Sequence, residues 1–141
     1  MKEIRHLLVI HVPPQKVYRA LVEQKGLASW WTDDVTAKPE ENTIAEFNFG
    51  NRYHNEMIIN QLVENRLVSW ECRVGDPEWI GTTFSFDLEE RGNDTILRFC
   101  HGNWRELTDF YASCNYNWGY YLGSLKKYCE EGKGYPFKNR D

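Results

Sequence analysis

The feature that most constrains this chain is a change of hydrophobic period after residue 101. Before it, apolar residues recur at every second position within successive short segments. After it, Phe110, Cys114, Trp118, Tyr121, Leu125 and Tyr128 recur at spacings of four and three. Period two buries one face of a strand, and the longer period buries one stripe of a helix. Ala45, Phe47 and Phe49 alternate with Glu46 and Asn48, and Asn55 to Glu64 follows as a long mixed strand. Val68, Trp70, Cys72 and Val74 oppose Ser69, Glu71 and Arg73. Phe84, Phe86 and Leu88 oppose Thr83, Ser85 and Asp87, and Leu97 and Phe99 oppose Arg98 and Cys100. The links include Asn65-Arg66, Gly75-Asp76-Pro77 and Arg91-Gly92-Asn93-Asp94. Such links are too short for parallel crossovers, so these five strands form an antiparallel meander.

Ile4 to Val12 alternates in the same way and adds a first strand. Pro13-Pro14 ends it, and Pro14 suits the first residue of a helix carrying Val17, Ala20 and Leu21. Gly26 interrupts, and Leu27 to Trp31 reads as a second short helix. The terminal helix runs to about Glu131, where Gly132 and Gly134 supply a stop. Trp104 to Tyr116 either extends that helix or forms a loop before it. The expected architecture is α+β: a curved antiparallel sheet of six strands around a long C-terminal helix, with two short helices after strand one. Residues 1–141 are expected to form a single domain.

Composition narrows the function classes. Lys plus Arg number 17 and Asp plus Glu 21, with no basic tract, which disfavours binding to a nucleic-acid backbone. No apolar run approaches the length of a membrane span. The N-terminus is too polar and its apolar run too short for a signal peptide, so a cytoplasmic location is expected. The four cysteines are then expected to be reduced, and none forms a C-x-x-C pair. No metal and no cofactor are expected. Aromatic residues make up 15% of the chain, enough to supply a core, a ligand pocket or both.

The element order brings together several local patterns. Val12-Pro13-Pro14 precedes Val17-Tyr18-Arg19-Ala20-Leu21, and Leu27-Ala28-Ser29-Trp30-Trp31 follows. Leu67-Val68-Ser69-Trp70-Glu71 and Thr95-Ile96-Leu97-Arg98-Phe99-Cys100-His101-Gly102 occupy the later strands. The chain thereby resembles the helix-grip fold of the Bet v 1/START-like superfamily, and within it the activator of Hsp90 ATPase (SRPBCC) family. Asn117-Trp118-Gly119 inverts the Gly-Trp order usual there. The resemblance implies a hydrophobic cavity between sheet and helix. Members bind lipids, hormones, polyketides or other apolar molecules, some are cyclases or aromatases, and one branch stimulates Hsp90.

The expected ligand-binding residues are the rings Trp70, Phe84, Phe86, Phe99, Trp118 and Tyr121, with Leu122 on the same helix and His54 and His101 as polar partners. The simpler reading of the rings is an ordinary aromatic core. His54 and Glu56 share a strand face and could abstract a proton if that face lines the cavity, and Glu46 and Glu71 are further carboxylate candidates. The simpler reading is a solvent-facing pair. Three functions follow: binding of a small hydrophobic molecule, aromatic or lipid-like; a small cyclase, aromatase or hydrolase; or contact with an Hsp90-type chaperone. The orientation of His54, Glu56 and His101 separates the first two.

Overall fold

Two prolines set the first corner. Strand β1 (Lys2–Ile10) ends before Pro13, and Pro14 opens helix α1 (Pro14–Val22), where its missing N–H is not needed. Glu23 alone separates α1 from α2 (Gln24–Trp30). Gly26 lies inside α2 instead of interrupting before it. A Cβ there would stand 2.6 Å from the Ala20 Cα, so its absence lets the two helices touch backbone to backbone. The Trp30 indole N–H donates to the Ala20 carbonyl at 2.9 Å and locks the corner.

The computed structural model describes residues 2–138. The chain continues through β2 (Asp34–Thr36), β3 (Ile44–Phe49), β4 (Tyr53–Val63), β5 (Leu67–Val74), β6 (Thr83–Arg91) and β7 (Asp94–Trp104) to α3 (Asp109–Glu131). The strands form one antiparallel sheet in the order β1-β7-β6-β5-β4-β3-β2. That is seven strands, not the six expected from the sequence. The addition is β2, which pairs Asp34 with Asn48 and Thr36 with Glu46. Three residues are too few to display a period of two, which is why the alternation did not reveal it.

Most faces follow the alternation. Val68, Trp70 and Cys72 are buried, as are Phe84, Phe86 and Leu88. Val74 departs, being exposed. Met57 pairs with Cys72 but Glu56 with Val74, so Arg73 is the extra residue of a β-bulge that turns Val74 outward. The β6–β7 hairpin closes over Gly92-Asn93, with Gly92 at φ 63°, a backbone conformation that glycine adopts without cost.

Helix α3 answers the open question about residues 104–116. Trp104 completes β7, four residues link, and the helix begins at Asp109. Its N-cap is Thr108, whose hydroxyl oxygen accepts the Tyr111 N–H at 3.1 Å. Gly132, at φ 84°, ends it as expected. Cys114, Trp118, Leu122, Leu125 and Cys129 are buried, while Tyr121 and Tyr128 flank that stripe half-buried. Gly134 is part of the packing as well as a stop. Its missing Cβ leaves room for the Ser29 carbonyl and Ser124 side chain, and Ser124 Oγ accepts the Tyr135 N–H at 2.7 Å. The tail is thereby strapped across α2 and α3. Among the described residues, no helix is long and apolar enough to cross a membrane.

Candidate functional site: an aromatic cleft beside α3

The layer between sheet and helix is dense at one end and open at the other. The dense end stacks Trp30, Phe47, Trp70, Phe84, Phe86 and Phe99, each 1% exposed or less. Fully burying a large apolar side chain contributes about 1.5–3 kcal/mol, so these rings supply much of the drive to fold. At the open end lies a cleft of about 270 Å³.

Five segments build it. The first half of α3 contributes Phe110, Ser113, Cys114, Asn117, Trp118 and Tyr121, one helical face. The β3–β4 turn contributes Phe49, Arg52, Tyr53 and Asn55. The β5–β6 loop contributes Asp76 and Trp79, and Trp31 and Phe137 close the remaining side. Phe137 is placed by two backbone bonds: its N–H donates to the Trp31 carbonyl and its carbonyl accepts the Asp33 N–H.

The β5–β6 loop is rigidly tied. Asp76 accepts the Glu78 N–H with its carboxylate and the Trp79 N–H with its carbonyl. Arg105 donates to the carbonyls of Ile80 and Pro77, and the Thr108 hydroxyl donates to Glu78. The loop is thus fastened to the start of α3.

Behind the cleft runs a fully satisfied polar chain. The Trp118 indole N–H donates to His101 Nδ1 at 3.1 Å. His101 therefore carries its proton on Nε2, which donates to Thr82 Oγ1 at 2.9 Å. The Thr82 hydroxyl in turn donates to the Trp79 carbonyl at 2.6 Å. Burial pushes the His101 pKa down to about 3, so the ring is neutral. The chain fixes two tryptophan walls, Trp118 by its side chain and Trp79 by its backbone. Their rings lie 11° from parallel with centroids 6.4 Å apart, and Trp31 stacks on Trp118 at 5.1 Å.

Two of the expected ligand-binding residues, Trp118 and Tyr121, line the cleft. Trp70, Phe84, Phe86, Phe99 and Leu122 lie in the packed layer behind it, with Phe99 4.4 Å from Trp118. His101 lies there too, with both nitrogens engaged. His54 is on the opposite face of β4, because alternation turns Asn55 inward and His54 and Glu56 outward. Asn48 donates through Nδ2 to Asp34, which orients its oxygen toward His54 Nδ1 at 2.6 Å. His54 Nε2 then faces Glu56 at 2.8 Å and Glu46 at 4.0 Å. Among the described residues, this trio brings its ligand atoms within 4.8 Å of one another and could hold a divalent cation.

Sequence reasoning missed Trp79, Phe110, Phe137, Arg52 and Asn55 as cleft residues. The available signal was a large ring in a turn, at Trp79, and another in the tail, at Phe137; loops are where binding groups concentrate. Cys114 also lines the cleft, but burial raises its thiol to about 11, so it is a small apolar wall and not a nucleophile. The four cysteines are free thiols.

Among the described residues, the cleft-lining polar atom that is both buried and without a hydrogen-bond partner is the Trp79 indole N–H. Arg52 is exposed at the rim and has neither ion pair nor hydrogen bond there.

No curated protein sequence matches the chain. Among solved structures, the Aha1 dimer from Colwellia psychrerythraea, determined in solution, is 39% identical with a TM-score of 0.88, covering 95% of this chain and 100% of that one. A Staphylococcus saprophyticus protein is 17% identical with a TM-score of 0.79, over 95% and 96% of the two chains. DynU16, of the dynemicin biosynthetic locus, is 16% identical with a TM-score of 0.79, over 95% of this chain and 49% of that one. The last two show a shared fold alone. The family model for Activator of Hsp90 ATPase homolog 1-like protein matches residues 11–130. With that match over most of its length, and with the fold and aromatic layer described above, the chain belongs to the Activator of Hsp90 ATPase homolog 1-like family.

Proposed function

We propose that this protein binds a small, flat, largely apolar molecule in the cleft beside α3. The observation that carries the reading is the convergence of eight rings from separate segments on one opening of about 270 Å³. Aromatic walls with a few polar groups suit a small ligand, and each well-placed ring pair adds about 0.5–1.5 kcal/mol beyond burial. The satisfied chain through His101 supports preorganised walls, which lower the cost of binding. Binding is favoured over acid–base catalysis because His101 is buried and neutral and His54 and Glu56 face away from the cleft. The test is calorimetric titration with 2-naphthol, a neutral two-ring probe. Wild-type protein binds it, and Tyr121→Ala, which removes a half-buried wall, weakens it. No heat of binding with the wild type would defeat the reading.

A second reading has its own support in the family and in the 39% identity to the Colwellia psychrerythraea Aha1 dimer. It is contact with an Hsp90-type chaperone, by a chain that itself pairs with a second copy. Light scattering measures the pairing, and stimulation of Hsp90 ATPase measures the contact.

A further inference from the structure

We infer that two copies of this chain pair through the exposed face of α3, packed antiparallel so that Tyr116 of one copy lies beside Tyr120 of the partner subunit; this rests on the pairing with a second copy proposed above. The first observation is a gap in charge. Residues 110–125 are sixteen consecutive positions without Asp, Glu, Lys or Arg, although part of this stretch faces solvent. Tyr116 is 78% exposed and Tyr120 49%. A solvated helix carries charged residues on the side opposite its apolar stripe. Exposed tyrosine without Lys or Glu is instead the composition of a protein interface. The face extends onto the tail. Tyr135 lies over Gly123, where a Cβ would stand 2.7 Å from its hydroxyl, and its ring centroid is 4.8 Å from that of Tyr120.

The second observation says what covers this face. The exposed charges that bound it are Asp109 at the start of α3 and Lys127 near its end. Neither has an ion pair or hydrogen bond among the described residues. Lys126, by contrast, is half-buried and tied to the Val9 carbonyl and to Glu130. Asp109 and Lys127 stand eighteen residues apart, five turns at about 3.6 residues each, so they lie on one line along the helix. Tyr116 and Tyr120 straddle that line, and the midpoint of the charged pair is also the midpoint of the tyrosines. A two-fold axis crossing α3 there sets Asp109 against Lys127 of the partner subunit and Tyr116 against Tyr120 of the partner subunit, twice over. An interface of this symmetry must be complementary to itself. Here opposite charges meet at both ends and none is buried at the centre. Self-pairing of the outer sheet face would instead cover the exposed charges of Glu46, Asp87 and Arg98.

The experiment is sedimentation equilibrium of the wild type and its variants, with circular dichroism to show that each variant is folded. The wild type is expected to be a dimer. Tyr116→Lys, at a side chain that the fold leaves exposed, should raise the dimer dissociation constant at least about tenfold, the size of one lost aromatic anchor. Asp109→Lys should raise it a few-fold by setting Lys against Lys, and adding Lys127→Asp to the same chain should restore it. Leu7→Lys, exposed on the outer face of β1, should change nothing. If Tyr116→Lys leaves the dimer intact, if the second charge reversal fails to rescue the first, or if Leu7→Lys dissociates the dimer, this inference is overturned and the pairing itself stands. A wild type that is monomeric at roughly 100 µM overturns both, and loss of Hsp90 stimulation in Tyr116→Lys would then give the face to the chaperone.

Discussion

The two ends of the sheet–helix layer are made of the same residue types and behave differently. At the dense end, Trp70 and Phe86 stand 5.0 Å apart with their centroids surrounded by other rings. At the open end, Phe49, Tyr53, Phe110 and Tyr121 are equally aromatic but only partly covered. The difference is not composition. It is that the open end lies where three connections meet the helix, and connections cannot interdigitate as a pleated sheet does. Trp118 marks the border, packed against Phe99 on one side and forming the cleft wall on the other. The lesson is that an aromatic stripe does not by itself distinguish core from pocket.

The largest expected effect lies at the dense end. Trp70→Ala should lower stability by about 3–5 kcal/mol, read by denaturant unfolding. A much smaller loss would mean that the dense end is not densely packed and would dissolve the comparison.

Acid comes next and tests the border. In the unfolded chain His101 takes up a proton below about pH 6.5. In the folded chain burial holds its pKa at about 3. The unfolded state therefore binds more protons between those values. The stabilisation is complete above pH 6.5 and falls as the pH drops, by about 3 kcal/mol at pH 4. His101→Gln, which keeps a donor for Thr82 and an acceptor for Trp118, should flatten that dependence. An unchanged acid slope in the variant would show that buried His101 is not the group that sets the acid dependence.

Tyr121→Ala addresses the open end. It should cost about 1–2 kcal/mol of stability, less than a core ring because part of its surface never touched protein. A loss as large as that of Trp70→Ala would place Tyr121 in the core. The smallest effect is expected at His54→Ala. It removes exposed hydrogen bonds to Asn48 and Glu56 on the outer face and should change stability by no more than about 0.5 kcal/mol, with 2-naphthol binding unaltered. Weakened binding would place the outer face in contact with the cleft and undo the separation of the two faces of β4.

Much of this architecture is legible in the order of residues along the chain. The alternation of Trp70 with Glu71, or of Phe86 with Asp87, reports burial directly because a strand offers only two faces. Gly132 reports the end of α3 because few residues adopt its conformation cheaply. Strand β2 is not legible because three residues carry no period. Val74 is misread because a bulge at Arg73 depends on the partner strand, which local sequence does not describe. The cleft is legible in part. Trp118 and Tyr121 belong to a periodic stripe, whereas Trp79, Asn55 and Phe137 enter from turns and the tail.

What the sequence determined on its own is the kind of each long element, the face each turns inward, and the family to which their order points. Those are local properties, written in period, glycine and proline. The tertiary structure alone decided which inward rings are sealed and which border open space. That depends on where each element ends along the axis of α3, and on loops that periodicity does not describe. It also decided that His101 is neutral, because the burial that lowers its pKa exists only once the sheet and α3 have met. Depth of burial is a property of the assembled layers, and no single segment carries it.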